Sequence, residues 1–234
     1  MASLLTLNHI EKEFASGFKL NPCSLQLNAG DVLAIIGQNG SGKSTLMEII
    51  TANSDPTAGE LTFIGQRFFP ESYALKRKLG YLPQNLNFPA WVTGKELISY
   101  ACHLYRLPIE KTAAALSYWG SCAYQHRPLA ACSHGMQKRI GLAIATIHAP
   151  ALLVLDEPFS GLDVIQTQAL QLVITDRQRQ GLATIISTHV LPYVARICSR
   201  ALLLKQGNSK EIDAWQQLGF TERIDRLERA LLHK

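Results

Sequence analysis

Apolar residues fall into two textures along this chain. Val32 to Ile36, Leu152 to Leu155, Thr184 to Ser187 and Ala201 to Leu204 are short and nearly continuously apolar, the pattern of strands buried on both faces. Other segments repeat apolar residues three and four apart, as helices packed along one side do. Leu97, Ile98, Ala101, Leu104 and Tyr105 form one such stripe, and Met136, Ile140, Ala143, Ile144 and Ile147 form another. Ile224, Leu227, Ala230 and Leu231 predict an amphipathic helix in the tail.

The chain therefore reads as strands 4–10 and 18–27, the turn Asn28–Asp31, strand 32–36, and a helix from Lys43 that fades by Asn53–Pro56. Strands 61–64 and 79–82 follow, ended by Gly65 and Pro83. A helical stretch then opens, with Pro108 starting its second segment. After residue 151, strands alternate with helices 164–180 and 190–197, and Gly207 turns the chain after the last strand. This is an α/β pattern: a mostly parallel sheet covered on both faces. It carries a helical insert at about 93–148, a main domain over 1–208 and a helical tail over 209–234.

Composition narrows the classes. No apolar run approaches the ~20 residues of a membrane span, and Met1–Leu5 lacks the basic and apolar regions of a secretory signal. A cytosolic chain is expected, meeting a membrane only through another subunit. The net charge of +5 suits phosphates or an anionic surface. Lysine and arginine do not cluster with aromatics, so nucleic acid is not an expected partner. The five cysteines (Cys23, Cys102, Cys122, Cys132, Cys198) form no C-x-x-C pair and read as small buried hydrophobes in a reducing compartment.

Candidate chemistry begins after strand 32–36. Gly37-Gln38-Asn39-Gly40-Ser41-Gly42-Lys43-Ser44-Thr45 fits G-x-x-x-x-G-K-[ST], the phosphate-binding P-loop, placed between a strand and a helix as the motif requires. Its glycines let backbone N–H groups face an anion, Lys43 can reach the β- and γ-phosphates, and the Ser44 hydroxyl can ligate Mg²⁺. The ligand expected is a nucleoside triphosphate. Strand 152–155 ends in Asp156-Glu157-Pro158, and ligands of parallel sheets sit beyond the carboxyl ends of strands. Asp156 is thus a candidate to hold Mg²⁺, and Glu157 a candidate to polarise water against the γ-phosphate.

Read in order, the chain resembles the nucleotide-binding subunit of an ATP-binding cassette (ABC) transporter. Gln84, after Gly80-Tyr81-Leu82-Pro83, resembles the Q-loop; Cys132-Ser133-His134-Gly135-Met136-Gln137-Lys138-Arg139 resembles the signature, usually written LSGGQ. Ser160-Gly161-Leu162-Asp163 resembles the D-loop, and Ser187-Thr188-His189 the switch histidine. The resemblance covers residues 4 to about 207. It implies a P-loop NTPase (RecA-like) core with an N-terminal antiparallel β subdomain and an inserted α-helical subdomain. It also implies ATP and Mg²⁺ held between two cassettes, a homodimer being expected, in which Ser133 and Gly135 of one chain complete the P-loop of the other. Asp163 then borders the nucleotide, Gln84 joins Ser44 and Asp156 at the metal, and His189 orients the attacking water. Phe14 falls at the aromatic that stacks on adenine. Asn85–Val92, with Phe88 and Trp91, falls where a groove receives a cytoplasmic helix of a separate membrane-spanning permease subunit.

The signature departs from the usual form at His134 and Met136, a Ser-x-Gly-Met variant resembling exporter ATPases with separate membrane subunits. The expected function is ATP hydrolysis that powers transport through such a partner on the cytoplasmic membrane face. The alternative is a soluble non-transport ABC ATPase, such as an iron–sulfur-assembly type. Repair ATPases of the SMC type are disfavoured, because Thr45 and Ser133 lie only 88 positions apart with no sustained heptads. A non-hydrolysing binding module is disfavoured by Glu157. The remaining histidines (His9, His103, His126, His148, His233) read as structural.

Overall fold

The computed structural model describes residues 3–15 and 17–232; Met1, Ala2, Ser16, His233 and Lys234 lie outside the described residues. The first strands are β1 (Leu5–Glu13), β2 (Lys19–Leu27) and β3 (Val32–Ile36), followed by helix α1 (Lys43–Ile50). Then come β4 (Ala58–Phe63), β5 (Gln66–Arg67), α2 (Tyr73–Lys76) and β6 (Leu79–Leu82). Helices α3 (Gly94–Tyr105), α4 (Lys111–Tyr118) and α5 (His134–Thr146) lead to β7 (Leu152–Asp156). The chain closes with α6 (Val164–Arg179), β8 (Ala183–Ser187), α7 (Leu191–Ile197), β9 (Arg200–Lys205), β10 (Asn208–Glu211) and α8 (Phe220–Leu232).

Two sheets result. An antiparallel sheet runs β2-β1-β4-β5, and a six-stranded sheet runs β10-β9-β3-β8-β7-β6. In the larger one every pairing is parallel except β9 with β10. Strand alternation explains the layering. Leu33 and Ile35 of β3 join a core shared with the antiparallel sheet and α1. Val32, Ala34 and Ile36 face the opposite core, with Ile140 and Leu142 of α5 and Leu170 and Ile174 of α6. All five residues of β3, β7 and β8 are buried, as continuous apolar runs require.

Several elements differ from the pattern-based expectation. β1 runs three residues further, to Glu13, across register shifts at His9 and Glu11. Those shifts interrupt the apolar alternation of the strand beyond Ile10. β10 has no apolar signature: Asn-Ser-Lys-Glu pairs at a sheet edge through its backbone, after a Gln206–Gly207 turn with both φ values near +50 to +80°. It runs across position 208/209, where the tail was expected to start. Cys23, Cys102, Cys132 and Cys198 are buried free thiols, whereas Cys122 is exposed, a correction to the uniformly buried reading. The turn between β2 and β3 is fastened by Arg200 of β9. It pairs with Asp31 at 2.7 Å and Glu211 at 2.6 Å and donates to the Gln26 carbonyl, so one guanidinium ties both sheets together. Among the described residues no helix is long and apolar enough to cross a membrane.

Candidate functional site

The strand order β3-β8-β7-β6 brings four chain segments to one sheet edge. β3 delivers the P-loop, β8 delivers His189, β7 delivers Asp156 and Glu157, and β6 delivers Gln84. A cavity of about 570 Å³ opens there, lined by Asn39, Gly40, Gly42, Lys43, Ser44 and Thr45 from the P-loop. Gln84, Asp156, Glu157 and Phe18 complete its wall.

The P-loop is shaped for an anion. Gly42 is the N-cap of α1 at φ 105°, a conformation that side chains resist, and it offers no side-chain cap. α3, α5 and α6 are instead capped by Thr93, Ser133 and Asp163. The first N–H groups of α1 are thus left to a ligand. Gly37 lies against the Leu204 carbonyl, and the buried Ser41 hydroxyl has no hydrogen-bond partner among the described residues. Lys43 Nζ donates to the Gly37 carbonyl at 2.8 Å and the Gln38 carbonyl at 3.0 Å. Burial pulls the Lys43 pKa below its usual value, against the opposing fields of Glu157 and Asp156. Phosphate oxygens suit this set: a half-buried ammonium, backbone donors and a spare hydroxyl.

Asp156 and Glu157 are joined through Ser187, its neighbour in the β7–β8 register. The Ser187 hydroxyl donates to Asp156 Oδ1, and the Glu157 N–H donates to the Ser187 carbonyl (3.1 Å) and hydroxyl (3.2 Å). Ser44 Oγ donates to Asp156 Oδ2 at 3.4 Å. Burial raises the Asp156 pKa, opposed chiefly by the Ser187 hydrogen bond. A cation beside this carboxylate would offset that burial cost, so Asp156 with Ser44 and Gln84 makes an oxygen-donor set that fits Mg²⁺. His189 Nδ1 lies 3.0 Å from both Glu157 carboxylate oxygens, with its ring mostly exposed and the carboxylate nearly buried. The imidazole can therefore orient Glu157 while its other edge faces solvent.

Ser44, Gln84 and Asp156 have a second role in the architecture. They also line a groove of about 790 Å³ that runs along Tyr81–Phe88 toward Gly141 and Ile144 of α5. The three expected metal ligands thus form the partition between cavity and groove. Phe88 lines that groove, whereas Trp91 is exposed and outside it.

Other expected site residues lie elsewhere. Ser133 caps α5, accepting from the Met136 N–H at 3.3 Å. Gly135 packs so tightly on the Gly161 carbonyl that an added Cβ would come within 2.3 Å of it. Asp163 caps α6 through the Gln166 N–H at 2.9 Å. Ser133, Gly135 and Asp163 are absent from the P-loop cavity lining. Phe14 stands at the end of β1, with its ring 6.1 Å from Phe18, and Phe18 is the aromatic that lines the cavity.

Ser187 and Lys138 lie within motifs read from the sequence, but neither they nor Phe18 carry a role in that reading. Ser187 was signalled by a hydroxyl closing an apolar strand. Phe18, four residues after Phe14, was marked only by its aromatic type. Lys138 is 1% exposed, and nothing in the pattern marks a buried lysine on α5. Its Nζ donates to the carbonyls of Glu157 and Ser160, both at 2.8 Å, and burial lowers its pKa.

This arrangement defines a P-loop NTPase: a triphosphate loop, an acidic strand end and a switch-like histidine at one edge of a parallel sheet. A family model described as ABC transporter matches residues 20–160, and the chain belongs to that family. The ABC transporter ATP-binding protein YxlF of Bacillus subtilis is 30% identical over 209 residues, spanning 87% of this chain and 68% of its own. The solved ATP-binding subunit of an ABC transporter shares the fold with a TM-score of 0.84 at 22% identity, over 97% of this chain and all of its own. The ATP-binding cassette MJ0796, solved as a dimer bound to ADP and Pi after hydrolysis, gives a TM-score of 0.81 at 22% identity, over 88% of this chain and 98% of its own.

Proposed function

We propose that this chain binds and hydrolyses ATP as the motor subunit of an ABC transporter, working as a pair of cassettes on a separate membrane-spanning permease. The observation that carries this reading is the meeting of Lys43, Ser44, Gln84, Asp156 and Glu157 around one cavity whose wall also borders a second groove. Residues 1–208 form the bulk of the ATPase domain, with the helical insert at about 93–148; β10 carries its sheet on to Glu211, and the rest of 209–234 forms the tail. The chain sits on the cytoplasmic face of the membrane through its partner.

In this reading the P-loop amides and Lys43 hold the β- and γ-phosphates, and Phe14 stacks on adenine. Ser44, Gln84 and Asp156 hold Mg²⁺, which neutralises phosphate charge when bound. Glu157 takes a proton from the attacking water as the water–Pγ bond forms and the bond from Pγ to the β-phosphate oxygen breaks, leaving ADP and phosphate. His189 holds the Glu157 carboxylate in line. Its Nδ1 faces both Glu157 carboxylate oxygens, and the opposite, solvent-facing edge of the ring is free to meet a γ-phosphate oxygen.

Ser133 and Gly135 reach phosphate only from a second copy. Their absence from their own chain's P-loop cavity supports a head-to-tail pair. The solved dimeric cassette of the same fold lends the pairing a precedent. ATP closes the pair, hydrolysis reopens it, and the motion passes through the Gln84 partition to the groove along Tyr81–Phe88, where the permease docks.

The test is affinity capture of the full chain from detergent-solubilised membranes of its source cells. Recovery of a polytopic membrane protein in stoichiometric amount is expected. Recovery of soluble partners alone, from a preparation that hydrolyses ATP, would contradict the transport reading.

A further inference from the structure

We propose that Lys138 is a positioning residue: through it helix α5 holds the Glu157 peptide in place, so that displacement of α5 is felt by the candidate base. The inference rests on the assignment of Glu157 under the proposed function and deepens it.

Burying an ammonium is costly unless its donors are satisfied. Lys138 meets that demand without a carboxylate: among the described residues it makes no ion pair within 4 Å, and its Nζ binds two backbone carbonyls, Glu157 and Ser160. Both belong to the segment that joins β7 to α6. Glu157 sits there at φ 46°, a left-handed conformation that a side chain bearing Cβ adopts only when its surroundings enforce it. The enforcement comes from two sides. Ser187 of β8 accepts from the Glu157 N–H, and Lys138 of α5 donates to the Glu157 carbonyl. With both ends of the residue held, its carboxylate projects to His189.

The same helix touches this segment again one turn earlier, where Gly135 lies against the Gly161 carbonyl. α5 and residues 157–161 are therefore fastened at two points, one a close backbone contact and one a three-donor ammonium. A shift of α5 that carried Gly135 against Gly161 would also draw on the Lys138 contacts. The first turn of α5 holds Ser133 and Gly135, the groups the proposed function aims at a second copy's nucleotide. Lys138 then links what happens at that nucleotide to the geometry of Glu157 in its own chain.

The test compares full-length wild type with Lys138→Met, Lys138→Gln and Lys138→Arg, reading ATPase kcat, KM for ATP and thermal midpoint. Lys138→Met keeps the length of the side chain and removes its donors. It is expected to lose about tenfold or more in kcat with KM within about twofold of wild type. Lys138→Arg, which restores a charged donor, is expected to return to within about threefold. Lys138→Gln, with a single shorter donor group, is expected about three- to tenfold below wild type at unchanged KM.

Wild-type kcat in a folded Lys138→Met chain overturns the proposal. So does parallel loss of kcat, ATP affinity and thermal midpoint with no recovery in Lys138→Arg. Should Lys138→Met not fold, Lys138→Gln decides: lowered kcat at wild-type KM supports the proposal, and wild-type kcat overturns it. A wild-type chain that hydrolyses nothing contradicts the proposed function instead, so the two failures are distinguishable.

Discussion

Glu157→Gln is expected to cut ATP turnover about 10³-fold, within the range that general bases contribute, while ATP stays bound. The substitution removes the carboxylate's basicity and charge while nearly keeping its shape. Glutamine keeps the volume of glutamate and one carbonyl acceptor for His189 Nδ1. The backbone contacts of residue 157, to Ser187 and Lys138, do not involve its side chain. The P-loop donors are untouched. Chains that can close on ATP and cannot hydrolyse it should therefore accumulate as dimers, visible by light scattering with ATP and Mg²⁺. Wild-type turnover in this variant would exclude Glu157 as the base.

Lys43→Ala is expected to weaken ATP binding about 10²-fold, because charge-assisted hydrogen bonds are worth roughly 1.5–3 kcal/mol each and Lys43 is placed to make more than one. In the structure its ammonium is already turned into the loop, on the Gly37 and Gln38 carbonyls. Burial, which lowers its pKa, makes the site receptive to a compensating anion. Diphosphate should lose less than triphosphate, since Lys43 reaches toward the terminal phosphates. Titration with fluorescent ATP and ADP analogues reads both. Equal affinity for ATP in the variant and wild type would remove Lys43 from the binding role.

Much of the fold was legible because its signals are local. β3 and the P-loop announce themselves through a run of apolar residues followed by glycines at fixed spacing. Asp156 and Glu157 follow from the rule that parallel strands present their carboxyl ends to ligands. What could not be read depends on neighbours distant in sequence. β10 is polar and is a strand only because β9 offers an edge. The shifts in β1 arise where two partner strands meet it out of step. Phe14 and Phe18 are equally aromatic in sequence, and only the packing of the β1–β2 turn over Gly42 puts Phe18 in the cavity wall. Lys138 carries the charge pattern of a surface residue and is almost wholly enclosed.

At the centre of the account stands a site shared between two copies, and mixing two crippled chains tests it most directly. Ser133→Ala and Lys43→Ala chains should each hydrolyse little ATP alone. In a mixed pair, one site has an intact Lys43 from the first chain and an intact Ser133 from the second, while the other site has neither. Random pairing of equal amounts should therefore restore about a quarter of wild-type turnover, as half the pairs are mixed and each has one good site of two. A mixture no more active than its separate components would contradict the shared site.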